Sequence, residues 1–513
     1  MSSSADEKFD SVPHSPICGH GEDTKKNLSA TASVNHLHQT ELLSKEEEEK
    51  LVWKIDTHLL PLQVATAGLQ FLDKTSLAFS AILGLRASLD LVHQEFNWTS
   101  SIFYLGYLIA CYPIAWCFVK FPLGKFISIF VIGWGAILAL HAVAKGFPQL
   151  MVLRTFLGAL ESPITPGFSL ITSMWYTPRE HASRHCFWFA GSAVASILGA
   201  LVAYGLLSYH GSMAQWRLQF LVLGVLTVAW GMAIWFLLPD SPETAYFLTP
   251  SERTFAALRP RKFQRTSQLK KWSRKQFVET LKDLKSWWFF IFLIVTSIPA
   301  GGFTTFGTIL IQGFGFSPSE TLLMTIPTNT VILIGVLIAG VLIPRLPNSR
   351  LLSMAALNII AGVGCLMTML LPEEQKIGRL VGLWLSALMA TAWPLMLSVF
   401  ASNTAGFTKK STTSVFLFIG YCVGNILAPQ FFFAAEAPRY ETAYKVMLSC
   451  LAISVVMVLG LRVYLDMENK RRDRIQGTHV HAEDVREVDL QRDEVLVEVD
   501  ETDQENLGFR YAL

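Results

Sequence analysis

The stretch Arg154–Pro163, RTFLGALESP, places an arginine and a glutamate inside a long apolar part of the chain. Arg154 and Glu161 are seven residues apart, which is almost two turns of an α-helix, so both side chains are expected on one helix face. A charged side chain at the centre of a bilayer costs roughly 2.5 to 3.5 kcal/mol, and such side chains face a bundle interior, a partner or water. This face is therefore predicted to line the inside of a helix bundle.

The composition indicates an integral membrane protein. Of 513 residues, 51% are hydrophobic and 16% are charged, whereas a soluble domain carries about 25% charged residues. Apolar windows of about 20 residues predict twelve spans. The windows cover residues 60–82, 100–119, 126–144, 149–174, 185–208, 217–238, 287–312, 320–343, 350–371, 377–401, 411–435 and 442–465. Because the number of spans is even, both termini are expected on the same side of the membrane.

Basic residues are distributed unevenly between the loops. Lys and Arg crowd into the segment from Arg253 to Lys285, and they recur in alternate short loops and after the last span. The other loops, HQEFNWT, SYHGSMAQ and GFGFSPSE, are almost free of them. By the positive-inside rule, both termini and the large middle loop are predicted to be cytoplasmic. We expect no nucleic-acid partner for the basic loop, because membrane spans flank it.

The predicted fold class is all-α integral membrane, with twelve transmembrane helices in two six-helix halves. The expected parts are an N-terminal tail (1–58), a first half (59–238), a basic linker (239–286), a second half (287–466) and an acidic C-terminal tail (467–513). Both tails are charged and poor in aromatic residues, which predicts solvated, disordered segments. His479 and His481 in the second tail are interpreted as solvated side chains and not as metal ligands. We expect no metal site and no cofactor.

Small residues interrupt the fifth and eleventh spans at matching places in the two halves, in GSAVASILGALVAYG and GYCVGNILAP. Small residues allow helix backbones to approach closely, and paired interruptions indicate where two halves meet around a binding site. Ordinary tight packing without a gating role is the alternative interpretation.

Four charged residues lie inside the spans of the first half. They are Asp73 and Lys74 in the first span, LQFLDKTSLAF, and Arg154 and Glu161 in the fourth. Two buried ion pairs that hold helices together are one interpretation, although desolvation offsets most of the attraction in such pairs. The other interpretation is that Lys74 and Arg154 attract an anion, while Asp73 and Glu161 load and release a proton. A buried carboxylate beside a cation can change protonation when an anionic ligand competes for that cation.

The membrane potential also favours a proton as the coupling ion. Moving a monoanion into a cell with a negative interior costs about 2.3 kcal/mol per 100 mV. One co-transported proton cancels this cost, and a second makes entry favourable. The proton gradient is therefore the expected driving force.

Six stretches together resemble the major facilitator superfamily, and within it the fungal allantoate permease family of the anion:cation symporters. They are LQFLDKTSLAFSAILGL, LRTFLGALESPITPGFSLITSMWYTPRE, FLLPDSPETAYFLT, SIPAGGFTTFGTILIQGFGF, ASNTAGFTKKSTTSVFLFIGYCVGNILAPQ and ENKRRDR. The resemblance implies a proton-driven transporter of small organic anions such as allantoate, ureido acids or nicotinate-like carboxylates. It also implies that Asp73, Lys74, Arg154 and Glu161 serve anion binding and proton coupling.

The chain departs from this resemblance at two places. Many relatives outside the fungal branch have arginine at the position of Lys74, and lysine offers a point charge instead of a planar fork. In the loop after the second span, the usual Gly, Asp and Arg pattern is reduced to Gly124 and Lys125.

Five further residues are candidates for substrate binding. His185 and Trp188 lie at the start of the fifth span, and Trp393, Tyr421 and Asn425 lie in the tenth and eleventh. Packing in the core or at the membrane interface is the alternative for the aromatic residues. The triplet NWT at Asn97 matches a glycosylation pattern, but it lies so close to the second span that no glycan is expected.

The function predicted from the sequence is proton-coupled import of a small organic anion by a monomeric transporter in the bilayer of the plasma membrane. An exporter of a small metabolite is the alternative within transport, because the same architecture works in both directions. A nutrient sensor that does not transport is the alternative from another class. An enzyme is not expected, because no nucleophile triad, metal cluster or phosphate loop occurs in the chain.

Overall fold

The structure is a computed structural model of the 513-residue chain, and it describes residues 45–263, 272–341, 346, 348–476 and 500–513. The chain divides into two units, Met1–Lys54 and Ile55–Leu513. Of the first unit, residues 45–54 are described, and they are helical. The expectations for residues 1–44, and for His479 and His481, concern positions outside the described residues.

Every regular element in the described residues is helical. The main helices are α1 (Lys45–Ile82), α2 (Glu95–Lys120), α3 (Leu123–Leu140), α4 (Phe147–Glu161), α5 (Ile164–Trp175), α6 (Pro178–Leu207), α7 (Gln215–Leu237), α8 (Pro250–Phe263), α9 (Arg274–Lys282), α10 (Leu284–Gly313), α11 (Pro318–Val341), α12 (Arg350–Leu370), α13 (Lys376–Ser386), α14 (Ala392–Asn403), α15 (Phe407–Leu427) and α16 (Glu441–Gln476). Short turns of helix occur at Leu85–Ser88, His141–Val143, Pro242–Thr244, Ala387–Thr391, Ala428–Phe431 and Ala434–Glu436.

Ten segments of the described chain are long and apolar enough to cross a membrane. The two other predicted spans are those with charged residues. One lies on α1, which carries Asp73 and Lys74, and the other is divided into α4 and α5. The described residues of the twelve predicted spans therefore lie mainly on helices, and the all-α membrane architecture is confirmed.

The two halves meet along two seams, with α6 packed on α11 and α2 packed on α15. Within the halves, the closest packing joins α3 to α7, α2 to α4, and α10 to α15. We call the side of the bundle that carries residues 120–125 and the linker the basic face, and the other side the opposite face. Because α2 begins at the opposite face and α15 ends there, their contact can close that face.

Hydrogen bonds between the halves cluster at the opposite face. Asn97 Nδ2 donates to the carbonyl oxygens of Pro429 at 2.7 Å and Phe432 at 2.9 Å. Gln430 Nε2 donates to Ser101 Oγ at 2.8 Å. Asn97 is buried, so its amide serves this contact. The opposite face is closed in this conformation.

The helix interruptions differ in place from those expected. α6 and α15 are continuous through their small residues, whereas the fourth span breaks after Glu161 and the tenth contains the turn Ala387–Thr391. The expected interruptions of the fifth and eleventh spans were wrong. Glycine and alanine keep a backbone N–H and can continue a helix, whereas proline removes the N–H and clashes with the preceding turn. The small residues of α15 instead allow close packing, since a Cβ at Gly424 would lie 2.6 Å from Ser297 Cβ on α10.

The expectation of a solvated tail was wrong for the described end of the chain. α16 continues to Gln476, and residues 500–513 pack against the second half through a buried ion-pair cluster. Asp503 Oδ1 lies 3.0 Å from Lys409 Nζ, and Asp503 Oδ2 pairs with Lys285 Nζ. Tyr511 Oη donates to Asp503 Oδ2 at 2.8 Å. Lys285 and Lys409 lie in the first turns of α10 and α15, so one carboxylate joins two spans.

The two lysines of this cluster also affect the pKa of Asp503. Burial by itself raises the pKa of the carboxyl group, but Lys285 and Lys409 hold the pKa below its ordinary value. A lowered pKa in the folded state stabilises the docked tail at neutral pH, and this contribution is lost as the pH falls through that pKa.

We predict that Asp503→Asn weakens this docking, while Glu501→Gln does not. Breaking a buried pair costs roughly 3 to 5 kcal/mol, and Glu501 is exposed two residues away. The measurement is the midpoint of thermal unfolding of each purified variant in detergent. We expect a lower midpoint for Asp503→Asn alone, and equal midpoints would contradict a docked tail.

Candidate functional site

The break in the fourth span positions Glu161 at the end of α4. Pro163 has no N–H to donate to the carbonyl of Ala159, and Ser162 Oγ donates to that carbonyl instead, at 2.8 Å. Gln70 Nε2, from α1, donates to the backbone carbonyl of Glu161 at 3.2 Å. Carbonyl groups inside a membrane protein need such replacements wherever a helix is interrupted. The break therefore ties the Glu161 backbone to the helix that carries Asp73 and Lys74.

Two glycines bring α2 and α4 into backbone contact. A Cβ at Gly158 would lie 2.0 Å from the carbonyl oxygen of Phe103, and a Cβ at Gly106 would lie 2.2 Å from that of Thr155. No real side chain tolerates such distances without a shift of the backbone. This approach places Phe103 and its neighbour Tyr104 beside the charged face of α4.

The two adjacent charges of α1 point in different directions, because consecutive helical residues are about 100° apart. Lys74 Nζ lies 4.0 Å from Glu161 Oε2. It also lies 5.6 Å from the ring centroid of Tyr107. The Asp73 side chain is directed towards α3, where Trp134 Nε1 donates to Asp73 Oδ2.

The four charges do not form two closed ion pairs. Arg154 Nε and Nη2, both carboxylate oxygens of Glu161, and Asp73 Oδ1 are buried and have no hydrogen-bond partner among the described residues. A buried polar atom without a partner costs about 1 to 3 kcal/mol. The four charges are thus incompletely hydrogen-bonded within the described residues, and the choice between a structural and a functional role stays a prediction.

Lys74 and Arg154 line one small cavity between the halves. Its walls come from α1, α2, α4 and α10, and they combine two cations with hydroxyl groups and aromatic rings. The lining residues are Lys74, Leu77, Ser100, Phe103, Tyr104, Arg154, Thr304 and Thr305. Both cations belong to the first half, and Thr304 and Thr305 belong to the second. Chemically, the lining combines cations that attract an anion with hydroxyl groups that accept or donate hydrogen bonds.

The other sequence candidates lie outside the lining of this cavity. Tyr421 lies beside the lining, with its ring centroid 5.9 Å from that of Tyr104. Trp393 follows at 5.1 Å from Tyr421, and Asn425 Nδ2 donates to the Tyr421 carbonyl at 2.9 Å. These residues extend from the cavity into the second half, and their part in substrate binding stays a prediction.

His185 and Trp188 form a separate ring contact on α6, with centroids 5.6 Å apart. Their part in substrate binding also stays a prediction.

Several polar residues near the charges were missed by the sequence analysis. They are Gln70, Ser100, Tyr104, Trp134, His141 and Thr305. His141 is fully buried, its Nδ1 lies 2.9 Å from the Ile137 carbonyl, and its Nε2 has no partner among the described residues. A polar residue within a span was the available signal, but such residues are too common in helices to identify a site alone. Across residues 45–263, 272–341, 346, 348–476 and 500–513, no three His, Cys, Asp or Glu side chains are grouped to hold a metal ion.

Comparison with known proteins agrees with this architecture. The family description "Major Facilitator Superfamily" matches residues 64–429. The chain belongs to the major facilitator superfamily. It is 33% identical over 480 residues to the allantoate permease of Saccharomyces cerevisiae, covering 91% of this chain and 87% of the permease. A transporter of Schizosaccharomyces pombe is 35% identical over 473 residues, covering 91% and 90% of the two chains.

The fold also matches a solved structure of a major facilitator protein. The xylose transporter XylE from E. coli, in a partially occluded inward-open conformation, has a TM-score of 0.58 at 12% identity, covering 78% of this chain and 96% of that one. The twelve-span fold and the family resemblance drawn from the sequence are thus confirmed. This major facilitator protein is a multi-pass secondary transporter of small molecules and not an enzyme.

We predict that Gly158→Ala separates α2 from α4 and strongly reduces transport by this major facilitator protein. The control is Gly205→Ala on α6, where a new Cβ meets nothing within 4 Å. An unhindered helical Gly→Ala change stabilises by about 0.4 to 1 kcal/mol. Surface abundance and substrate uptake of both variants are the measurements. Normal uptake per molecule in Gly158→Ala would contradict a role for this contact in shaping the site.

Proposed function

We propose that this transporter imports a small organic anion together with protons by alternating access. The observation that carries the proposal is the buried Arg154, whose Nε and Nη2 lack partners among the described residues, in a cavity shared with Lys74. A carboxylate can accept from both side chains at once. The allantoate permease, a relative over most of the chain, supports a carboxylate or ureide as the substrate class.

Proton coupling is assigned to Glu161, with Asp73 as the second carboxylate. Glu161 lies 4.0 Å from Lys74, so a substrate carboxylate bound at Lys74 competes with Glu161 for the same ammonium group. Loss of that cation favours the protonated form of the acid. Binding of the anion thereby promotes binding of a proton by Glu161. Release of the anion in turn promotes release of the proton.

The orientation follows from the loop charges. The basic face is assigned to the cytoplasm, with both termini on that side, and the protein is assigned to the plasma membrane as a monomer. Because the opposite face is closed by Asn97 and Gln430, the conformation corresponds to a transporter that is closed to the outside. The proton gradient supplies the driving force without a cofactor.

The test of this function is uptake of a panel of labelled carboxylates and ureides by cells that express the protein, with and without a proton uncoupler. An importer accumulates one or more of them, and the uncoupler abolishes accumulation. Net efflux from preloaded cells would indicate an exporter instead. Binding without any flux would indicate a sensor.

We predict that Glu161→Gln abolishes proton-driven accumulation and leaves exchange of labelled for unlabelled substrate partly intact. Glutamine keeps the size of the side chain but cannot release a proton, whereas exchange needs only substrate binding and alternation. Accumulation against a gradient is measured beside exchange in the same cells. If Glu161→Gln still accumulates substrate, the coupling role passes to Asp73, and Asp73→Asn is measured next.

We predict that Lys74→Gln and Arg154→Gln reach the cell surface but lose uptake, because the cations serve the ligand. If they served only as partners of the acids, each change would leave a buried acid uncompensated at roughly 3 to 5 kcal/mol, and surface abundance would collapse. Lys74→Arg retains the charge as a planar fork and is expected to transport with altered affinity. Wild-type uptake per surface molecule in both neutralised variants would contradict anion binding by these residues.

A further inference from the structure

Two buried hydroxyl groups in the lining of the cavity join the halves. Ser100 Oγ on α2 and Thr305 Oγ1 on α10 are 2.9 Å apart, and both residues line the cavity with Lys74 and Arg154. Ser100 lies five residues after the start of α2, or about 7.5 Å along the helix axis. The hydroxyl pair is therefore located towards the closed, opposite face, and each half contributes one of its members.

The neighbouring Thr304 has a different hydrogen bond. Its Oγ1 donates to the Ala300 carbonyl of its own helix at 2.9 Å, so its proton is already used within α10. A hydroxyl group has one donor and two acceptor positions. The bond between Ser100 and Thr305 uses one proton of the two hydroxyls, which leaves a donor and acceptor positions for a further group. Ser100 and Thr305 thus retain hydrogen-bonding capacity for a further group.

The lining of the cavity contains two kinds of polar group. Lys74 and Arg154 supply positive charge from the first half, whereas the hydroxyl pair is neutral and includes a residue of the second half. A simple carboxylate held by the cations would contact mainly the first half. A ligand that reaches Thr305 contacts both halves, which is what a substrate must do to influence the contact between them.

We propose that Ser100 and Thr305 form a second polar subsite, which binds a hydrogen-bonding group at the end of the substrate remote from its carboxylate. This inference rests on the proposed function and narrows its substrate class to anions with such a second group. The remote group binds to the remaining donor and acceptor positions of the pair and competes with the bond between the two hydroxyls. Occupancy of the site therefore weakens one of the contacts that close the opposite face.

The test compares Thr305→Val with Thr304→Val, two changes of similar shape at adjacent residues of the same cavity wall. The probes are polar acids of the uptake panel and their apolar isosteres, for example N-carbamoylglycine and 4-methylpentanoate. The quantity measured is the ratio of uptake efficiencies, kcat/KM, for the polar and the apolar acid. A hydrogen bond worth about 0.5 to 1.5 kcal/mol corresponds to a change of roughly 2- to 13-fold. We expect a fall of that size in Thr305→Val and an unchanged ratio in Thr304→Val.

Ser100→Ala provides a second variant on the other half, and it is expected to lower the same ratio. Equal ratios for wild type, Thr305→Val and Ser100→Ala would overturn the subsite while leaving anion import intact. Equal reductions in Thr304→Val and Thr305→Val would also overturn it, because the loss would then reflect the shape of the wall. Absence of uptake of every panel acid by the wild type would contradict the proposed function itself, and with it the subsite.

Discussion

The burial of charge inside a lipid-embedded bundle is the constraint on which the rest of this structure depends. Asp73, Lys74, Arg154 and Glu161 cannot face hydrocarbon at an acceptable cost, so the helices that carry them must be enclosed by others. This need explains the break after Glu161, the backbone contact at Gly158 and the aromatic rings beside Lys74. Each brings another helix, or a polar group of another helix, against the charged faces of α1 and α4.

Two charge clusters in the same protein show how pairing distinguishes a structural site from a candidate ligand site. At the basic face, Lys285 and Lys409 share the carboxylate of Asp503, and Tyr511 donates to the same group. In the central cluster, buried atoms of Arg154 and Glu161 have no hydrogen-bond partner among the described residues, and the ion pair of Glu161 with Lys74 is 4.0 Å long. Charges that are fully paired stabilise one arrangement of helices. Charges that are incompletely paired can change partners, which a coupled transporter requires.

The cavity also relates the binding site to closure of the opposite face. Ser100 and Thr305 belong to the cavity and to the contact between halves at once. Asn97 and Gln430 extend that contact towards the opposite face. A ligand that alters the first contact is thereby placed to alter the balance between open and closed states. Alternating access needs such a link, because a substrate shifts an equilibrium only through interactions that differ between the states.

Much of the architecture could be predicted from local sequence. The twelve spans follow from apolar length, and the candidate charges from their cost in a bilayer, both of which are properties of single segments. The interruptions were predicted in the wrong spans, since small residues are compatible with a continuous helix. Pro163 follows the break in the fourth span, but Pro113, Pro299 and Pro327 lie inside continuous helices, so proline alone does not locate the breaks. The described end of the tail was predicted to be solvated because it is acidic. Its partners Lys285 and Lys409 are far away in the chain, so the composition of the tail does not reveal them.

The sequence by itself determined that the chain enters a membrane, how many times it crosses, and which four charges need protection, because hydropathy and charge act along one segment at a time. Only the tertiary structure decided which of those charges share a cavity, which atoms lack hydrogen-bond partners, and which hydroxyl groups of the second half line that cavity. Lys74, Arg154 and Thr305 lie on three helices that are distant in sequence, and their proximity results from helix packing. Close packing depends on the shapes of all the facing surfaces together, so no segment of the chain contains that information alone.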